Sequence, residues 1–158
     1  MGVPAAGGPQ IKQGRMVPLF TLPSTAGGLS GPGALRSKYN MVLGFVGSDG
    51  GARSYLRALA EVYPSVLEEQ ARVIAVVVAS SEEARELAGE PALPFTVLAD
   101  EGGAVTRRML GEGAGTGLCV ADRYGEAYYV EAVPSVEQLP LPQTAVDWLQ
   151  FIGIQCPE

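Results

Sequence analysis

Residues 47–54, Gly47-Ser48-Asp49-Gly50-Gly51-Ala52-Arg53-Ser54, are the chain's foremost candidate for chemistry. They follow an apolar run at 41–46 and lead into residues with helical spacing. A strand, a tight glycine turn and a helix start leave backbone N–H groups free at the helix end, and an arginine beside them suits an anion. Asp49, Gly50, Gly51, Ala52 and Arg53 are therefore ligand-binding candidates. The plainer reading is an ordinary glycine-rich turn in which Ser48 or Asp49 only caps the helix. The turn holds no cysteine, histidine or other general base, and an unactivated serine hydroxyl stays protonated at neutral pH.

The whole chain lacks histidine, which removes the commonest general base, the commonest metal ligand and the physiological-pH switch. Ser-His-Asp catalysis and the usual zinc sites are excluded, and neither a metal nor a cofactor is expected. The two cysteines, Cys119 and Cys156, are too few for a disulfide framework and suit a reducing compartment. Cys119 falls mid-strand, where a free cysteine behaves as a small buried hydrophobe; Cys156 sits near the C-terminus, where a thiol can meet a partner. They are the two redox candidates. The acidic pairs Glu68-Glu69, Glu82-Glu83 and Asp100-Glu101 fall at helix ends or turns and read as solvated caps.

A chain of 158 residues, nearly half of them hydrophobic, can build a sizeable core as one domain. The net charge of −6, with scattered Lys and Arg, argues against nucleic acid or an anionic membrane surface as partner. The N-terminus lacks a continuous apolar segment, and Ala6 stands where a myristoylation signal wants Ser or Thr. No apolar run approaches the ~20 residues that span a bilayer. A cytoplasmic protein without direct membrane insertion is expected.

The elements that must position the turn follow from periodicity. Residues 1–15, rich in Gly, Ala and Pro, read as a flexible leader, and 16–158 as a single domain. Residues 17–23 alternate between prolines like a short edge strand. The run 41–46 is a strand covered on both faces. Helical spacing runs from about 53 to 69, with Pro64 placed to kink or split the helix. Residues 72–79 form the most β-prone stretch, and Ser80-Ser81-Glu82-Glu83 is a capping box. A strand at 95–99, a short helix at 104–110, a strand at 118–121, a turn at 122–125 and a partner strand at 126–133 follow. Pro142 opens a last helix to about 154. In the 126–133 strand the adjacent Tyr128 and Tyr129 should point to opposite faces. Phe151 and Ile154 lie off the main apolar face of the last helix. These four are the partner-contact candidates.

This order and several phrases resemble the peroxiredoxin-like (redoxin) branch of the thioredoxin fold, the alkyl-hydroperoxide-reductase/thiol-specific-antioxidant family. Residues 14–22, with Pro18 and Phe20, are similar to its G-x-x-x-P-x-F-x-L entry. Leu98-Ala99-Asp100 with Gly102-Gly103 resembles its L-x-D-x-x-G, and 118–125 its hairpin with Asp and Gly in register. The C-terminal residues 148–158 resemble a closing helix with a C-P-E end. The resemblance implies an α/β domain with a central mixed β-sheet flanked by helices. It also implies a P-x-x-x-T-x-x-C turn whose thiolate attacks peroxide. Counting from Phe45, Gly47 stands at the Pro, Gly51 at the Thr and Ser54 at the Cys. The family's Arg, or the cis-Pro of thioredoxins, falls near Thr116. The 111–117 loop would lie beside the turn, leaving a shallow pocket that adds Thr116 to the ligand candidates.

With Cys, Thr and Arg all absent, ordinary peroxidase or disulfide-reductase activity is not expected. The favoured function is a non-catalytic binding or assembly module, as an accessory subunit of a redox complex or as a homo-oligomer. The alternatives are a weak thiol oxidoreductase using Cys156 or Cys119, and a small-anion site at 50–53.

Overall fold

The computed structural model describes residues 9–89 and 92–155. Two short strands, β1 (Leu22–Pro23) and β2 (Leu29–Ser30), form an antiparallel ribbon. The main sheet holds β3 (Asn40–Val46), β4 (Ala71–Val77), β5 (Thr96–Ala99), β6 (Thr116–Ala121) and β7 (Ala127–Val133) in the order β5-β4-β3-β6-β7. Pairs β3–β4 and β4–β5 are parallel; β3–β6 and β6–β7 are antiparallel. Helices α1 (Gly50–Glu68), α2 (Ser81–Gly89), α3 (Ala104–Leu110) and α4 (Gln143–Gln155) flank it. The expected mixed sheet with helices on both faces is the observed one.

Both faces of the central strands are covered, which is why β3 and β4 read as unbroken apolar runs. Val42, Val46, Val73 and Ala75 face Leu56 and Leu59 of α1 and Leu149 and Ile152 of α4. Met41, Leu43, Phe45, Ile74 and Val76 face Met109 and Leu110 of α3, with Ile11, Val17 and Phe20 closing that side. Burial of these large side chains is the main driving force for the fold.

Four expectations are corrected. The leader expected over 1–15 is tied to the domain from Gln10: Gln10 N and Ile11 N donate to the Met109 carbonyl, Ile11 is buried, and Gly14 N donates to Ala127 O. Residues 1–8 lie outside the described residues. Only Leu22–Pro23 of the expected 17–23 strand pairs regularly; Pro18 lacks a ladder donor, and before it Val17 N makes a single bond to Gly125 O. Pro64 neither splits nor ends α1, which continues to Glu68. It sits on the solvent face, while the buried Tyr63 and Val66 anchor the helix on either side.

The fourth concerns the tyrosines. Val120 pairs with Tyr129 and Ala121 with Ala127, so Tyr128 is the extra residue of a β-bulge. The bulge cancels the alternation, and both tyrosines pack on the α1/α4 face of the sheet.

Candidate functional site

The turn after β3 is built by its glycines and closed by Asp49. The Asp49 Oδ1 accepts a hydrogen bond from Ala52 N at 2.9 Å, so the acid is the helix cap. Added Cβ atoms at Gly47 and Gly50 would meet open space. At Gly51 the surroundings are tight. A Cβ there would lie 2.8 Å from Val136 Cγ1, 3.5 Å from Asp49 Oδ1 and 3.7 Å from Glu137 Oε2. Val136 and Glu137 belong to a 3-10 turn, Val136–Gln138, in the connection from β7 to α4. The chain's own valine and two carboxylates therefore stand over the start of α1, where an anion would otherwise meet free N–H groups. Carboxylates at a helix N-terminus are favourable for the helix and repel a further anion.

The degenerate positions do not assemble a reaction centre. Ser54 is exposed on the first turn of α1. Thr116 lies one residue beyond the last β3–β6 pair, Phe45–Gly117. Its Oγ1 donates to Val133 O at 2.8 Å, so it is committed to the neighbouring strand. Cys119 is buried opposite Leu43, and burial pushes its thiol pKa up to about 12. Such a thiol holds almost no thiolate at neutral pH. Cys156 lies outside the described residues. Among the described residues no group of three or more Cys, Asp or Glu could hold a metal ion.

Arg53 takes part in another arrangement. It lines an open cleft of about 350 Å³ with Arg85, Glu86 and Gly89 of α2. No sequence pattern joins Arg53 to Arg85, 32 positions away; the fold brings the two into one cleft. Val136 and Glu137 were also missed, and their one signal is the proline-rich connection 134–142 that must return over the sheet end. The expected solvated cap at Asp100 is corrected. It is buried and accepts from Val105 N, Thr106 N and Thr106 Oγ1, fixing the start of α3.

The partner-contact candidates do come together. Tyr129 stacks on Trp148 with centroids 5.5 Å apart. Trp148 meets Phe151 edge-on at 5.5 Å, and Phe151 meets Tyr128 edge-on at 6.4 Å. Phe151 is 44 % exposed and Ile154 75 %. Tyr55 lies beneath, its hydroxyl donating to Pro140 O at 2.8 Å. Burial, with Tyr129 nearby, raises the Tyr55 pKa, so it supplies no proton at neutral pH.

The sheet order, the strand–turn–helix at β3–α1 and the late antiparallel hairpin define a thioredoxin-like α/β protein. The chain belongs to the AhpC/TSA family, whose model matches residues 13–130. Among solved structures it resembles peroxidoxin BcpB from Mycobacterium tuberculosis (18 % identity, TM-score 0.77, covering 90 % of this chain and 99 % of that one). It also resembles the reduced 2-Cys peroxiredoxin of Plasmodium vivax (12 % identity, TM-score 0.78, 90 % and 82 %) and the thiol peroxidase from Chromobacterium violaceum (16 % identity, TM-score 0.73, 97 % and 93 %). No curated protein matches the chain.

Proposed function

We propose that this chain is a non-catalytic member of the AhpC/TSA family that works as a protein-binding or assembly module in the cytoplasm. The observation that carries the reading is the state of the β3–α1 turn. It lacks a nucleophile, Asp49 occupies the helix cap, and Val136 and Glu137 cover Gly51. The aromatic face of β7 and α4 supplies the contact surface. Service as an accessory subunit of a redox complex is taken from the family alone.

Two measurements test the proposal. The purified chain with dithiothreitol is expected to reduce hydrogen peroxide and an alkyl hydroperoxide no faster than dithiothreitol alone. Gentle purification from the native source is expected to yield a stoichiometric assembly by native mass. Peroxide turnover that disappears in a Cys156→Ser variant would establish the thiol-enzyme reading instead. A second reading, an anion site, is favoured by the Arg53–Arg85 cleft. Inorganic phosphate that stabilises the wild type but not an Arg53→Ala/Arg85→Ala variant would support it.

A further inference from the structure

Residues 124–158 contain Glu126, Glu131, Glu137, Asp147 and Glu158 and no Lys or Arg, so all but one unit of the net charge of −6 falls in this final stretch. The same stretch builds β7 and α4. At its surface Asp147, Phe151 and Ile154 form one outward stripe of α4, spaced i, i+4, i+7. Asp147, Trp148 and Phe151 line an apolar recess of about 160 Å³. Two of its walls are aromatic rings set nearly perpendicular, at 78°. The third is a carboxylate whose Oδ1 accepts a hydrogen bond from the neutral Gln143 amide at 3.1 Å. Aromatic faces attract cations through the ring quadrupole, and a carboxylate beside them adds charge attraction.

We infer that this recess receives an arginine or lysine side chain from a basic, partly apolar segment of a partner protein. The inference rests on the assembly reading and names the chemistry of its partner. Charge complementarity selects the occupant. A second copy would set the same carboxylates against each other, whereas a cationic segment is steered toward them and seats its apolar residues on Phe151 and Ile154. Tyr129 stacked behind Trp148 holds the indole in place, so the recess is formed before the partner arrives.

The test selects a random twelve-residue peptide library on the full chain, then titrates selected peptides against the fluorescence of Trp148, the chain's single tryptophan. Selected peptides should be enriched in Arg and Lys beside apolar residues and should shift Trp148 emission saturably. Replacing their Arg and Lys by Gln should abolish the shift. Asp147→Asn should weaken binding about three- to fivefold, as for an exposed ion pair, and Phe151→Ala by about tenfold. Raising salt from about 50 to 300 mM should weaken it further. Both substitutions are at exposed positions and should leave the thermal midpoint nearly unchanged. Failure to select any peptide, selection of neutral or acidic peptides, or basic peptides that bind both variants as well as wild type would overturn the inference. A stoichiometric native complex alongside any of those results would leave the assembly reading standing and remove only this contact.

Discussion

Cys119 is expected to resist Ellman's reagent in the native protein and to react at once in denaturant, because the residue is 1 % exposed. Burial also predicts alkaline destabilisation. In the folded chain the Cys119 pKa is raised from 9.0 to about 12, and burial raises that of Tyr63 and Tyr129. The unfolded chain loses these protons first, so stability is full below about pH 9 and falls as pH rises toward 12. Urea midpoints across that range should show the decline, and a Cys119→Ala variant should show less of it. Placing the nucleophile back by Ser54→Cys should give a fast-reacting thiol but no peroxide turnover. Position 54 is exposed, and no Thr or Arg is restored to activate the sulfur.

At the scale of elements, helix starts carry the measurable energetics. Ser80 and Glu83 form the reciprocal box their spacing predicts: Glu83 N donates to Ser80 Oγ at 3.1 Å and Ser80 N to Glu83 Oε1 at 3.0 Å. Ser80→Ala should cost about 1 kcal/mol in chemical denaturation. Asp100→Ala should cost more, about 2–3 kcal/mol, because it strands two buried N–H groups at the start of α3. Gly102 and Gly103 just before that helix have φ of +83° and +76°, which explains the glycine pair this chain carries there. The bulge at Tyr128 is the element that makes the aromatic face. Deleting Tyr128 should remove the bulge and join Ala127, which already packs on the α3 side, to Tyr129 on the α1/α4 side in regular alternation, and slower hydrogen exchange in the β6–β7 ladder would report it.

Across the whole molecule, local patterns were enough for the strand and helix order. Apolar runs, caps and turns act over a few residues, so β3, β4, α2, α3 and the hairpin turn, where Gly125 N donates to Asp122 O at 2.9 Å, were legible directly. The mixed sheet and the emptied turn were legible through the ordered phrases that resemble the family. Ile11 in the core was hidden because one apolar residue in a Gly- and Pro-rich stretch carries no periodicity, and its burial depends on α3, far along the chain. Pro64 misled because a helix tolerates a proline when packing on its other face exceeds the lost hydrogen bond. The cover over Gly51 by Val136, the Arg53–Arg85 cleft and the aromatic recess at Trp148 all join residues from separate elements. The sequence by itself determined the fold class and the lack of cysteine and histidine in the 47–54 turn, since both are properties of short segments and residue types. Only the tertiary structure decided what stands over that turn and which aromatic residues of β7 and α4 meet at the surface, because those depend on contacts between segments that loop closure brings together.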